Sequence, residues 1–260
     1  MTIRARKAGF LADMASVAGR ALRSIPREPE SVIPALVVPV FFFIVNIGSL
    51  QDLAERLPGL DFKAFQLPVA IIFAVTGVSR AGTLVADVAS GYFDRLLMTP
   101  VSRSALLLGL VVADFALVVA LSIPVIILGL AVGVSFDTGI LGMVAFLVLA
   151  GAWGVAFTGF PYAIALKTGS PAAVNSSFIL FFPFAFLTTS FLPREALTGW
   201  LSAVAGYNPV TYVLDGLRSL VSSGWDGSSL LKAVAAIVAV GAVSFSLAFA
   251  ALRGRVSSGG

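Results

Sequence analysis

The sequence predicts an all-α membrane protein: six transmembrane helices, an amphipathic helix ahead of them, and an external re-entrant helical hairpin before the last span. Three observations predict this. The 260 residues are 58% hydrophobic and 12% charged, with mean hydropathy +1.02, whereas ordinary soluble domains run about 25% charged. About six apolar runs approach or exceed the ~20 residues that cross a ~30 Å hydrocarbon core. None shows the ten-residue alternation of an outer-membrane strand, and a segment in lipid must satisfy its own backbone polar groups, so the runs are helices.

The first thirty residues hold Arg4, Arg6, Lys7, Arg20, Arg23 and Arg27. Asp13 and Arg20 interrupt any signal-peptide core. At 100° per residue, Leu11, Met14, Ala18, Leu22 and Ile25 share one face, opposite Asp13, Arg20 and Arg23. This predicts an amphipathic helix over 10–25 lying in the membrane interface, or packed on another subunit, and ended by Pro26 and Pro29. Spans follow at 31–48, 67–85, 105–132, 140–166, 174–192 and 231–252. The reading divides the chain into an N-terminal segment 1–30, a transmembrane domain 31–253 and a tail 254–260. Pro124, Pro161 and Pro183 lie inside spans and predict kinks; Gly151, Gly154 and Gly159 in span four offer room for close helix approach.

Composition also excludes chemistry. The chain has no Cys and no His, which removes thiol nucleophiles, zinc clusters and the usual general base. No G-x-x-x-x-G-K-[ST] stretch is present, so a P-loop is absent and any ATP must be bound by a partner. The net charge of +4 does not point to nucleic acid, because the cations sit at span ends, where anionic lipid headgroups are the simpler partner. Twelve of the 17 Lys and Arg fall on the side of the termini, among them Arg80, Arg95, Arg103, Lys167, Arg253 and Arg255. The positive-inside rule then places both termini, and the polar stretch between spans two and three, in the cytoplasm. The 49–66 loop and the 193–229 segment are external.

That external segment carries its own helix signals. Asn208-Pro209 reads as N-cap and first helical residue. Val210, Val213, Leu214, Leu217 and Val221 recur at helical spacing, Asp215 and Arg218 can pair at i,i+3, and Ser222-Ser223-Gly224 ends the run. Residues 193–205 read as a shorter helix with Trp200 as an interfacial anchor.

Three stretches in this order resemble one family, the ABC-2 type permeases, which are the membrane subunits of ATP-binding cassette exporters. "RALRSIPREPESVIPALVVPVFFF" is similar to that family's basic, Pro-interrupted approach to span one, with Glu28 where Asn or Asp is expected. "DVASGYFDRLLMTPVSR" resembles its Gly-x-x-acidic-Arg-Leu-x-x-Thr-Pro-x-x-Arg pattern through Gly91, Asp94, Arg95, Leu96, Thr99, Pro100 and Arg103. "NPVTYVLDGLRSL" resembles its Asn-Pro-x-x-Tyr…Arg segment through Asn208, Pro209, Tyr212 and Arg218. The resemblance implies six spans, a cytoplasmic segment that touches an ATPase, external re-entrant helices, and two permease subunits, as homodimer or heterodimer, working with two nucleotide-binding subunits. No cofactor is expected on this chain; ATP and Mg belong to the partner. The expected activity is export of a hydrophobic or amphipathic compound, a drug, lipid or glycolipid, through the cytoplasmic membrane.

Residue roles follow. Residues 87–98 are expected to form a short docking helix, stopped by Pro100 through Thr99. Phe93, Leu96 and Leu97 would give it an apolar edge for the ATPase, and Asp94, Arg95 and Arg103 its charged register; the alternative is an ordinary positive-inside loop. The N-terminal helix, with Arg20, Arg23 and Arg27, could share that contact. Asp114, inside span three, reads equally as a structural hydrogen bond or ion pair with Arg80 and as part of a substrate path. Phe-rich spans one and five, including Phe181 and Phe182, could line an apolar portal, or face lipid or a subunit interface. A second function class, an ion-coupled secondary transporter using Asp114, would call for an inverted repeat, and the two halves show no such similarity.

Overall fold

The computed structural model describes residues 9–27, 29–54, 60–76, 78–98 and 102–258; among them no strand occurs. Arg4, Arg6, Lys7 and Glu28 lie outside the described residues. The N-terminal helix α1 is Phe10–Ser24, followed by a 3-10 turn Ile25–Arg27 where Pro26 removes a donor. α2 is Pro29–Ala54, α3 Phe62–Val75, α4 Ala81–Ala89, α5 Tyr92–Leu97, α6 Arg103–Ala131 and α7 Gly139–Thr168. Then come α8 Pro171–Ser176, α9 Phe181–Phe186, α10 Gly199–Tyr207, α11 Pro209–Ser222 and α12 Gly227–Ser258.

Among the described residues, four helices are long and apolar enough to cross a membrane, over Val32–Leu50, Ser104–Ala131, Gly139–Thr168 and Gly227–Arg255. The runs expected as spans two and five are instead built from pieces. α3 starts earlier than expected, where the Asp61 carboxylate caps the Lys63 and Ala64 amides at 3.0 and 3.1 Å, and it stops at Val75. Its 14 residues reach only about 21 Å at 1.5 Å per residue. The chain leaves helical geometry at Thr76 and resumes it at Ala81 as α4. The fifth run is α8, a 3-10 turn Ser177–Leu180 and α9. Apolar composition marks a buried or lipid-facing segment but does not require one unbroken helix.

Among the described residues the core has two main parts, beside a small cluster of Phe62 and Phe65 with Leu50 and Leu60. One, around α3, α7, α11 and α12, buries Leu67, Ile71, Trp153, Phe157, Leu214 and Leu217. The other lies at the α1 end and joins α4, α6, the far ends of α7 and α12, and Ala21. α7 and α12 are pinned where Gly159 faces Ser244: a Cβ there would sit 2.4 Å from the Ser244 carbonyl carbon. This closeness lets Ser244 Oγ donate to the Ala156 carbonyl at 2.5 Å. Gly151 and Gly154 likewise admit Phe115 and Val118 of α6, so the span-four glycines are packing surfaces.

At the opposite end from α1, Asn208 begins α11 as its spacing predicts. Its Oδ1 accepts from the Val210 amide at 2.9 Å, and its Nδ2 donates to the Phe184 and Leu187 carbonyls at 2.8 and 2.7 Å. One side chain thus caps α11 and closes the frayed end of α9. Tyr212 donates to the Gly206 carbonyl at 2.5 Å, which ties α11 to α10. The shorter helix before Asn208 starts later than expected, at Gly199, whose φ of 64° suits glycine. Trp200 is 69% exposed. Asp226 starts α12 by accepting from the Ser229 hydroxyl at 2.6 Å and the Ser228 amide at 2.9 Å, and these bonds hold its carboxyl below the ordinary range.

Arg218 does more than its spacing predicts. Asp215 is only within 3.8 Å and is 40% exposed. Meanwhile the guanidinium donates to Thr189 Oγ1 at 2.8 Å and the Thr189 carbonyl at 2.7 Å, and lies 3.6 Å over the Phe65 ring. It therefore holds the irregular 187–192 segment against α3.

Two consequences are measurable as thermal stability of the purified protein in detergent. Gly159→Ala should destabilise by about 1–3 kcal/mol, because helix backbone blocks the new methyl. Gly241→Ala should be nearly neutral, since its Cβ would meet Ala156 at an ordinary 3.5 Å. Arg218→Lys, which loses the two-pronged contact, should cost about 1.5–3 kcal/mol. Asp215→Asn should stay within the ~0–1 kcal/mol of an exposed pair.

Candidate functional site

The expected single docking helix over 87–98 is two helices. α4 ends at Ala89 and Gly91, at φ 68°, turns the chain before α5; a left-handed residue cannot continue a helix, and glycine takes that conformation without a Cβ clash. The apolar edge expected to face a partner is turned inward at Phe93, which is buried with Leu84, Leu106, Leu107, Leu166 and Leu252. Leu96 packs against the same cluster. Arg95 is exposed and reaches back to the Gly91 and Ser90 carbonyls at 3.3 and 3.5 Å. What this segment presents outward is Tyr92, Arg95 and Met98, the last 80% exposed. Thr99 and Pro100 lie outside the described residues, as do the side chains of Asp94, Leu97 and Arg103.

α1 lies against this segment. Arg20 grips the Asp87 carboxylate with both nitrogens, at 2.5 and 3.2 Å, and its guanidinium lies 4.9 Å over the Tyr92 ring. The hydrogen bond to Asp87 raises the Arg20 pKa above its ordinary value, against some opposing desolvation. Arg20, Arg23 and Arg27 border one surface groove with Ser16 and Ser24. Ala18 and Ala21 are the buried residues of α1, and its Val17 side chain and Met14 carbonyl lie directly over Gly109 of α6. Leu11, on the predicted apolar face, is 71% exposed.

α4 leads from this charged end to the break in the second run. A break strands backbone donors and acceptors, which are costly in an apolar interior. Asp114 of α6 meets this need. It is fully buried, its Oδ1 accepts from the Arg80 amide at 2.8 Å, and its Oδ2 accepts from the Tyr162 hydroxyl of α7 at 2.5 Å. On the other side of the break, Thr76 Oγ1 donates to the Ile72 carbonyl at 2.6 Å and accepts from Trp153 Nε1 at 2.8 Å. The Arg80 side chain donates to Ser24 Oγ at the end of α1. Asp114 and Arg80 thus meet through the Arg80 backbone amide, the hydrogen bond that was one of the two links expected between them.

The break opens one wall of a cleft of about 530 Å³ between α2, α4, α6, α7 and α8. Val38, Pro39, Leu117, Leu121 and Phe73 supply apolar walls, and Thr76, Ser79, Thr83 and Asn175 the polar groups. This is the size and lining of a small-molecule site. Phe181 is fully buried and Phe182 is 43% exposed; neither they nor Asp114 line the cleft. The Phe-rich runs mostly stack on one another: Phe73 meets Phe42, Phe181 and Phe186 at 5.1, 5.4 and 5.7 Å. Their rings join α2, α3 and α9 from within.

Trp153, Tyr162, Thr76 and Asp87 escaped the sequence reading as site residues. A Trp and a Tyr inside span four are a usable signal, since a buried ring N–H or O–H needs a partner. Which partner it finds is a matter of helix packing.

Residues 14–221 match the family model described as ABC-2 type transporter. A daunorubicin resistance ABC transporter permease protein of Streptomyces coeruleorubidus is 27% identical over 85% of this chain and 80% of its own length. A probable doxorubicin resistance ABC transporter permease protein of Mycobacterium tuberculosis is 24% identical, over 83% and 79%. A putative transport permease of Pyropia yezoensis is 27% identical, over 78% and 72%. With most of its length inside the family match and several membrane-length apolar helices around a buried polar joint, this chain is a multi-pass membrane protein that belongs to the ABC-2 type transporter family.

Proposed function

We propose that the chain is the permease subunit of an ATP-driven exporter that moves a hydrophobic or amphipathic compound outward across the cytoplasmic membrane. The curated relatives named for daunorubicin and doxorubicin resistance favour a drug-like compound within the wider class of drugs, lipids and glycolipids. ATP and Mg are held by a separate nucleotide-binding subunit, and a second permease subunit completes the path. Both termini and α5 face the cytoplasm. In the membrane, α3 with α4 forms the second of six spans and α8 with α9 the fifth, each broken; α10 and α11 form the external re-entrant hairpin, and α1 lies at the inner interface.

One observation carries this reading: a single rigid element, α4, joins the charged end to the cleft. Its C-terminus holds Asp87, gripped by Arg20, and turns at Gly91 into α5. Its N-terminus is the cleft wall, Arg80, Gly82 and Thr83. A nine-residue helix transmits displacement with little bending, and a break with its own hydrogen bonds is a natural hinge. ATP-driven closure of the partner subunits, pressing on Arg95, the neighbouring Asp94 and the groove of Arg20, Arg23 and Arg27, would tilt α4 and reshape the cleft. Gly91 permits the bend between the two short helices, and Phe93 keeps α5 from sliding off the bundle. The compound's apolar body would lie on Leu117, Leu121 and Pro39, with a polar group toward Ser79 and Asn175. Asp114 stays in place as the cap of α4.

Two experiments test the reading. Asp94→Ala with Arg95→Ala should reduce co-purification with the ATPase and abolish ATP-dependent transport in vesicles, whereas collapse of the proton gradient with ATP present should leave wild-type transport running. An intact complex with unaltered transport would sink the coupling role, and transport that stops with the gradient would favour ion coupling. Gly82→Leu places a side chain in the cleft at a position where a Cβ meets nothing within 4 Å. It should cut transport of a daunorubicin-like probe at least tenfold while the ATPase complex stays assembled; unchanged transport would remove the cleft from the path.

A further inference from the structure

A second groove of about 600 Å³ opens between the C-terminal ends of α7 and α12, on the α1 side of the molecule and separate from the cleft. Its walls are Ala163 and Ile164 of α7 and Leu247, Ala250 and Ala251 of α12; its end is marked by Lys167 and Arg255. The two helices are pinned together farther up, at Gly159 and Ser244. Below that point small side chains on α12 leave a concavity that neither helix fills. Leu247 is 49% exposed at its outer edge. Arg255 leans over the end of α7, with Nη1 3.5 Å from the Leu166 carbonyl, and Lys167 is exposed beside it.

We infer that this groove binds the headgroup and upper acyl chain of an anionic phospholipid, its phosphate at Lys167 and Arg255 and its chain along Ile164, Ala251 and Leu247. The inference needs the chain to span a membrane, not the exporter reading or the cleft. Charge argues for an anion. Residues 161–194 and 227–260, which carry both walls, contain no Asp or Glu; of the acids on α4 and α6, which also pack on α7, Asp87 is held by Arg20 and Asp114 by Tyr162 and the Arg80 amide. Shape argues for a lipid. From Arg255 to Leu247 is two helical turns, about 12 Å at 1.5 Å per residue, far longer than a soluble phosphate and apolar beyond the cations. Position agrees: the cations stand where the candidate spans Gly139–Thr168 and Gly227–Arg255 end, the depth at which basic pockets between spans meet lipid headgroups. A second copy of this chain is a poor occupant, because a two-fold contact would set the same pair of cations against itself.

The test uses the purified protein, with its ATPase where the two co-purify. It is reconstituted in vesicles of phosphatidylcholine with one-fifth phosphatidylglycerol, re-extracted, and its retained lipids are measured by native mass spectrometry. Wild type should retain phosphatidylglycerol above its share of the bilayer, and Lys167→Gln and Arg255→Gln should each lower that enrichment roughly fivefold, the worth of one cation near the membrane surface. Gly254→Leu keeps both charges and puts a side chain into a groove position where a Cβ meets nothing within 4 Å; it too should lower enrichment. Arg253→Gln, at an exposed cation of the same helix end that does not line the groove, should retain it. Millimolar inorganic phosphate should not displace the lipid. Equal loss in Arg253→Gln, no loss in Gly254→Leu, or displacement by phosphate would overturn the inference. So would variants that keep the lipid but lose the ATPase, which would assign the cations to the soluble partner.

Discussion

The Asp114 carboxylate is the interaction on which the rest of this structure depends. A helix broken inside an apolar bundle leaves amides at the restart with nothing to bond, and each would cost about 1–3 kcal/mol. A carboxylate is an unusual remedy, since its own burial is expensive. It is tolerable here because both oxygens are engaged, one by the Arg80 amide and one by Tyr162. The same charge sits close to the N-terminus of α4, where the helix dipole favours it. Three elements, α4, α6 and α7, are thereby fixed at one point, and the break becomes a defined joint instead of a local fault.

A defined joint is what would let a short helix work as a lever in the proposed coupling. Trp153 and Asp114 hold the two sides of the gap independently, one through Thr76 and the other through Arg80. α4 can pivot about its Asp114 bond while α3 stays locked in the core by Leu67, Ile71 and Val75, all fully buried. At its other end the Arg20–Asp87 pair is partly exposed, 40% and 15%, and such a pair contributes only about 1 kcal/mol or less. That weakness suits the proposed coupling, because a contact remade during a transport cycle should not dominate the energetics. The buried bonds at the break set geometry and the exposed pair at the end sets position.

How much of this was legible in the sequence follows from which forces are local. Caps are local: Asn208-Pro209 predicts the start of α11 to the residue, because the capping oxygen and the amide it bonds are two positions apart. The long apolar runs at 104–131, 139–168 and 227–255 are legible for the same reason, as length and composition suffice. The breaks in the second and fifth runs were not. Thr76, Ser79 and Arg80 make the stretch visibly more polar than its surroundings, but polarity alone does not mark a break, and the bonds that stabilise this one come from residues 34 and 77 positions away. Arg218 shows the same limit. Its i,i+3 partner Asp215 was visible, but its stronger contacts are to Thr189, 29 positions back, and to the Phe65 ring. The docking segment failed in between: its charges and Gly91 were visible, but the direction of Phe93 depends on α6 and α12.

The distribution of close packing separates a rigid side from a jointed one. α7, α11 and α12 are long or well-capped helices, with Gly159 against Ser244 and Gly216 against Ala233 at distances that leave no room for sliding. α3, α4, α8 and α9 are short, and they are joined by aromatic contacts and single hydrogen bonds. Stacked phenylalanines such as Phe42, Phe73, Phe181 and Phe186 can shift against each other with modest loss, since dispersion is spread over many weak contacts. A backbone-to-Cα approach such as Gly159 cannot. Under the proposed transport role, motion that opens or closes the cleft would fall on the side of the broken helices, with α7 and α12 as the fixed frame. The cleft lies on that boundary: Pro161 of α7 contributes a wall from the closely packed side, and Ser79, Thr83 and Asn175 contribute walls from the short, jointed pieces.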